Sequence, residues 1–561
     1  MEKLKIHKLK INSKSVSILI FVISFGYFIF QLISKIELIG TIEDEIYIKD
    51  RNRVVGIIKE NGEYKILFNE HKNTPNNAIA KELWRIKIVS QSLPPMGLIV
   101  LNDIEFPLLI WFHTGFLPYT IQNIFMIKYE VLFARIPCVI FGILIVPILI
   151  LIFRKSGLEI PSVLFGVSLF LISSSFLMFL VQSSSFTYLL CSFLLTISIY
   201  FLINRNFLLS FIALGMLSLS YIKFGINLFL SYLVVLSFLS RDIKDTIRNF
   251  SFMSILTLIF TLPYIIHSIA FYELDEVLPR AGDISFFSFF PRTTLKFILS
   301  QQTNQNFFES IKIGFLDLME LIGNIGFGKH LVIDYNYSAS KISFVFILVF
   351  IFCIIDKNLR LVSAIILIYT IFESITFPHY GFPRRFLVIF PIFISSIGIF
   401  IWNQMQKKYG VLFFTIPIFY VFLQTQSLTK FVKKLETEGV SFQNTSMEIQ
   451  KEIKDFIFQQ NITEISNFSA LINLDVITEG NIKIYDWSYS ILWGNIKPEL
   501  IPHILKLNEG KYILLSWLKP HSEIEKISNR YNFSLVKIKS FERAGKEIFS
   551  ISKIEKKSET D

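Results

Sequence analysis

The sequence predicts a polytopic α-helical membrane protein of about 11 transmembrane helices, followed by a small soluble α/β domain. Three observations lead there. Of 561 residues, 52% are hydrophobic and only 18% are charged, against about 25% charged in ordinary soluble domains, and the mean hydropathy is +0.54. The apolar residues, 60 Phe among them, lie in long runs rather than in the alternation of a soluble core, and a hydrocarbon layer of about 30 Å needs about 20 such residues per helix. From Ser427 onward the composition changes abruptly to mixed helix and strand patterns. A soluble, fibrous or disordered chain is excluded. The formal charge of +11 does not point to nucleic acid, because Lys and Arg collect in the cytoplasmic loops of membrane proteins.

The first span, at roughly 16 to 33, is too long for a cleavable signal core and follows Lys3, Lys5, Lys8, Lys10 and Lys14. Further apolar runs stand at roughly 131 to 153, 158 to 181, 185 to 203, 207 to 222, 225 to 239, 250 to 271, 342 to 355, 359 to 377, 386 to 402 and 410 to 424. Only Lys223-Phe224-Gly225 separates the runs ending near 222 and starting near 225, and the charge alternation favours two spans there over one. With a cytoplasmic N-terminus, the turns at Arg154-Lys155, Arg205, Arg241 to Arg248, Lys357 to Arg360 and Lys407-Lys408 are cytoplasmic and all basic, as the positive-inside bias requires. Three exported segments then exceed turn length, at about 37 to 130, about 272 to 341, and the tail. The chain divides into a membrane module, 1–424, and an exported domain, 425–561. Cys138, Cys191 and Cys353 all lie in apolar runs, which gives small core residues and no disulfide framework.

In the tail, helices are expected at Met447 to Gln459 and His521 to Tyr531. Strands are expected at Lys511 to Trp517, Ser534 to Phe541 and Glu547 to Ile554, the last two joined through Ala544-Gly545 as a hairpin. No phosphate loop, zinc spacing or nucleophile elbow occurs there.

Residues able to carry chemistry gather on the exported side. The first loop opens with Glu43-Asp44-Glu45-Ile46-Tyr47, carboxylates a few residues beyond a span, where they are solvated, paired with a cation or poised to take a proton. Pro94-Pro95-Met96 fixes an extended backbone and then permits a helix to start. Arg135, in Arg135-Ile136-Pro137 at the entry to the second span, runs against the charge bias and needs an acidic or phosphate partner. In the second exported segment His330 and Asp334 are too few for a metal site.

The order of a first span, an exported D-E-x-Y, a P-P-[LM] element and an R-[LI]-P-x-x-x-x-G entry to the second span resembles membrane glycosyltransferases of the C-type (GT-C) fold. Within that fold the sequence is most similar to the protein O-mannosyltransferase and aminoarabinose transferase group. Ser220-Tyr221-Ile222-Lys223-Phe224-Gly225 is similar to the group's lysine-glycine turn. His379-Tyr380-Gly381-Phe382-Pro383-Arg384-Arg385-Phe386, ahead of Pro391, is similar to its R-Y-x-x-x-x-x-P segment. Leu93 stands where the aminoarabinose branch commonly has Lys, and of the polar turn before the fourth span only Tyr188 matches.

The resemblance implies transfer of a sugar from a polyprenyl-phosphate donor to a protein, lipid or glycan acceptor on the exported face of the cell membrane, with inversion at the anomeric carbon. It implies Asp44 as the base and Glu45 as its orienting partner. Arg135, Lys223, Arg384 and Arg385 are the exported-side cations suited to the donor phosphate, whose developing charge they would neutralise. Tyr47, Pro94, Pro95, Tyr188, His379 and Tyr380 fall at substrate-positioning places. No cofactor is assigned, and a divalent metal stays open. The rival class is a transporter or lipid flippase, which should show internal repeats and polar groups near the bilayer midplane; the sequence shows no duplication between halves.

Overall fold

A computed structural model describes residues 13–35, 52–60, 63–70, 98–101, 104–107, 116–125, 131–173, 186–239, 307–323, 337–376, 383–406, 440–441, 444–469, 474–478, 481–486, 508–516 and 521–557, with scattered positions between. The helices of the apolar part are α1 Ser13–Lys35, α2 Phe116–Phe125, α3 Val131–Lys155, α4 Ile160–Leu171, α5 Phe186–Ile203, α6 Phe207–Ser220, α7 Ile222–Leu239, α8 Phe307–Gly323, α9 Tyr337–Ile355, α10 Arg360–Thr376 and α11 Phe390–Gln404. A 3₁₀ turn, Pro383–Val388, leads into α11. Among the described residues three helices are long and apolar enough to cross a membrane, Lys14–Ile33, Arg135–Lys155 and Phe186–Ile203. Ile160–Leu171, Phe207–Ser220, Lys223–Ser237, Val345–Ile355 and Phe390–Gln404 are apolar but shorter. Where a run from 158 to 181 is expected, the described helix ends at Leu171 and is capped by Ile172, ahead of three consecutive serines, whose hydroxyls compete with helical backbone bonding.

One buried apolar cluster joins these helices, from Phe28 and Leu32 on α1 to Ile401 and Trp402 on α11. Many faces away from it expose Leu, Ile and Phe, such as Leu19, Val22 and Ile23 on α1 and Phe352 and Ile355 on α9. That is the pattern of helices whose outer faces meet lipid, where apolar exposure costs nothing.

The first loop departs from one expectation. After Pro94-Pro95 the described chain forms a two-stranded hairpin, β3 Leu98–Leu101 against β4 Ile104–Pro107, and helix begins only at Phe116. The β-branched pair Ile99-Val100 followed by Asn102-Asp103 favours strand and turn over a helix start. Earlier in the loop, β1 Asn52–Glu60 pairs antiparallel with β2 Glu63–Glu70.

In the tail lie β5 Val440–Ser441, β6 Asn444–Thr445, α12 Met447–Gln459, β7 Glu464–Asn467, α13 Leu474–Ile477, β8 Lys483–Asp486, β9 Tyr512–Ser516, α14 His521–Arg530, β10 Phe533–Arg543 and β11 Lys546–Lys556. The helix at Met447–Gln459 begins at Ser446, whose Oγ accepts from the Ile449 N–H at 3.3 Å, a cap that satisfies an otherwise orphaned donor. Ile449, Ile453 and Ile457 recur every fourth residue and enter a second buried cluster with Ile465, Leu514, Phe549 and Ile551. The hairpin through Ala544-Gly545 forms as expected, with Arg543 opposite Lys546. Both turn residues have positive φ, 50° and 72°, as a two-residue turn matched to strand twist requires.

The strands join in the order β10-β11-β9-β7-β8-β1-β2. Strands β9, β7 and β8 run parallel, while β9, β11 and β10 are antiparallel. The far edge comes from the first loop, through β1 beside β8 with Arg53 opposite Asp486. The sheet therefore contains strands from both ends of the chain.

Candidate functional site

The lysine-glycine turn is a break between two helices. Tyr221, with φ −156° and ψ 100°, is extended and caps α6, and α7 starts at the next residue. A Cβ on Gly225 would lie 2.7 Å from Ser218 Cα, so only glycine lets α7 fold back against α6 this closely. Lys223 is thereby held in the first turn of α7, and two helices stand where two spans are expected.

From there Lys223 Nζ reaches Glu373 Oε1 on α10 at 2.9 Å. The other carboxylate oxygen accepts from Asn227 Nδ2 at 2.7 Å, and the same amide donates to Thr376 Oγ1 at 2.9 Å. Lys223 and Asn227 lie one helical turn apart on one face of α7, so a single face presents an ammonium and an amide to one carboxylate. Glu373 is 1% exposed while the Lys223 side chain is 21% exposed.

A second pair lies beside the first. Arg385, on the 3₁₀ turn, donates from Nη2 to Asp317 Oδ2 of α8 at 2.8 Å, and both side chains are buried. Its guanidinium carbon lies 4.9 Å from the centre of the Phe386 ring, and its carbonyl oxygen accepts from the Tyr369 hydroxyl at 3.4 Å. Arg385 is close enough to Lys223 for the two cations to repel, which makes the carboxylates between them necessary. The α8–α10 contact that brings Asp317 here depends on Gly314, where a Cβ would fall 2.5 Å from Ser374 Cβ; Ser374 follows Glu373 directly.

An aromatic layer adjoins the cluster. Tyr221 and Phe224 stack at 3.9 Å and 13°, with Tyr188 on α5 at 6.0 and 5.8 Å from them and Tyr369 at 6.4 Å from Phe224. Flat faces beside a charged cluster suit an amphipathic substrate. Arg135 is fully buried near the start of α3, which packs on α5 through Phe141 against Phe186 and Phe193.

Of the residues expected from sequence, the structure thus brings Tyr188, Lys223 and Arg385 together and buries Arg135. Asp44, Glu45, Tyr47, Pro94, Pro95, His379 and Tyr380 lie outside the described residues, as does the side chain of Arg384. Sequence reasoning missed Glu373, Asn227 and Asp317. A signal existed for Glu373, the only acid in the apolar stretch from Arg360 to Thr376, because an ionisable group in such a stretch marks function or pairing. Asp317 gave no comparable signal, since it stands in an amphipathic helix beside Glu309 and Glu320. Among the described residues no group of three His, Cys, Asp or Glu side chains is placed to hold a metal.

No family model matches the chain and no curated protein matches it by sequence. By structure it is similar to ArnT from Cupriavidus metallidurans in the apo state, with a TM-score of 0.50 and 11% identity over 96% of this chain and 97% of that one. A likeness at that identity concerns the fold: over nearly its whole length this chain has the C-type membrane glycosyltransferase architecture that its D-E-x-Y, R-I-P and lysine-glycine elements resemble.

Proposed function

We propose that this protein is an integral glycosyltransferase of the inner or plasma membrane, moving a sugar from a polyprenyl-phosphate donor to a protein, lipid or glycan acceptor on the exported face. The observation that carries the reading is the charged cluster of Lys223, Glu373, Asn227, Arg385 and Asp317 inside a fold shared with ArnT along 96% of the chain. Fold alone hosts many activities, and a transporter of similar span count has no need of a cation cluster beside an aromatic layer at one helix break. Eleven spans, a cytoplasmic N-terminus and an exported tail belong to the same proposal.

In this mechanism the acceptor hydroxyl attacks the anomeric carbon, its proton passes to the Asp44 carboxylate, and the bond from that carbon to the phosphate oxygen breaks. Glu45 orients Asp44. Polyprenyl phosphate leaves with the added negative charge, which Arg135, Lys223 and Arg384 offset, since preorganised cations act where charge develops. Arg385, committed to Asp317, holds the 3₁₀ turn that carries Arg384. Tyr47, Pro94, Pro95, Tyr188, His379 and Tyr380 shape the substrate path.

The test is reconstitution of the purified protein in liposomes with a panel of polyprenyl-phosphate sugars, scoring released polyprenyl phosphate. Wild-type protein should release it and Asp44→Asn should fall by about 100-fold to 10,000-fold, the span typical of a lost general base. Movement of the intact donor between leaflets without release would replace this reading with a flippase.

A further inference from the structure

We propose that Glu373 is a resident counter-ion of Lys223, which the donor phosphate displaces on arrival and which helps to expel the phosphate product. The inference deepens the polyprenyl-phosphate reading above and rests on it.

Three features of the cluster point this way. The first is the difference in exposure between the partners, 21% for the ammonium and 1% for the carboxylate, so an anion arriving from outside meets Lys223 before Glu373. The second is the bracing of Glu373 from behind. Asn227 holds Oε2 at 2.7 Å and is itself fixed on Thr376, which leaves the carboxylate with a hydrogen bond when the ammonium is drawn away. A buried carboxylate whose only partner departed would be costly; here the cost is limited in advance.

The third is charge balance. Lys223 and Arg385 face Glu373 and Asp317, two cations against two carboxylates. The donor's phosphodiester carries a single negative charge, whereas the released phosphomonoester carries about −1.5 to −2 near neutral pH. A bare cation would hold that product more tightly than the substrate. With Glu373 competing for the same ammonium, the site gives the product up.

The experiment is direct binding of a long-chain polyprenyl phosphate to the full-length protein in nanodiscs, with the same polyprenol lacking phosphate as the control for the lipid tail. Glu373→Gln, nearly isosteric and uncharged, should bind polyprenyl phosphate about tenfold more tightly than wild type, with polyprenol binding unaltered, and product inhibition should rise in step. A merely structural glutamate predicts weaker binding or none. Glu373→Asp, which withdraws the carboxylate by one methylene, should fall between the two and decides the matter if Glu373→Gln fails to fold. Polyprenyl phosphate binding equal to or weaker than wild type in the folded variants overturns the inference. Failure of the wild-type protein to bind polyprenyl phosphate better than polyprenol overturns the glycosyltransferase reading itself.

Discussion

Arg385 and Asp317, 5% and 0% exposed, come from elements 68 residues apart, whereas Lys537 and Glu547 in the tail sheet are 42% and 25% exposed and face each other across one hairpin. The same chemistry, a basic group 2.8 or 2.6 Å from a carboxylate, has different consequences in the two places. Between the helices, removing one partner strands the other in a medium that solvates charge poorly. On the sheet, water replaces the lost partner. The helical pairs act as constraints that tie α7 to α10 and α8 to the 3₁₀ turn, while the tail pairs decorate a fold that apolar burial already holds.

The largest effect expected from this contrast is at Asp317. Asp317→Asn leaves Arg385 buried without its counter-charge and should cost about 3–5 kcal/mol, read as a large fall in thermal unfolding temperature in detergent or nanodiscs. Replacing the pair together, as Asp317→Leu with Arg385→Met, should recover much of that loss. A melting temperature for Asp317→Asn at the wild-type value would break the comparison.

Next comes Gly225→Ala. The added methyl meets Ser218 where α7 folds back on α6, and overpacking of this kind costs about 1–3 kcal/mol. Because Gly225 also sets the place of Lys223, polyprenyl phosphate binding should weaken along with stability. Ser218→Gly in the same chain should restore both. Failure of that second substitution to restore either would show that the helix break is fixed by something other than this contact.

On the tail, Glu452→Gln removes a partner of Arg543, whose guanidinium bridges Glu452 and Glu448 on α12. An exposed pair with a second carboxylate in reach should lose less than about 1 kcal/mol. A loss as large as that of Asp317→Asn would mean that the hairpin tip and α12 depend on charge as the helices do.

The smallest effect is pH-dependent. Partial burial raises the Glu547 carboxyl, but hydrogen bonds from Lys537 and Ser540 and the Lys537 charge outweigh it and hold the group below its ordinary value of 4.5. A carboxyl depressed in the folded state contributes stability above its unfolded pKa and loses it as pH falls through the folded one. The stability difference between wild type and Lys537→Met should therefore be present above pH 4.5 and shrink below it. A difference that does not change across that range would remove Lys537 as the cause.

What could be read from sequence divides along the same line. The helix at Met447–Gln459 and the hairpin through Ala544-Gly545 were legible because their causes are local: a serine cap, an isoleucine every fourth residue and a turn whose two residues accept positive φ. The break before Lys223 was legible for the same reason, a charge and a glycine between two apolar runs. The strand hairpin after Pro94-Pro95 was misread as a helix start, since a short apolar run has no period long enough to separate the two.

The sequence by itself determined that the chain is a helical membrane protein, where most of its apolar runs lie, and which exported-side cations need partners, because hydropathy and charge placement are summed over neighbours in the chain. Only the tertiary structure decided who those partners are. Glu373 meets Lys223 across 150 positions and Asp317 meets Arg385 across 68, and the first loop's hairpin joins the tail's sheet beside β8. Such pairings arise where helices cross at Gly225 and Gly314 and where a sheet edge accepts a strand, and nothing local to either partner specifies the other.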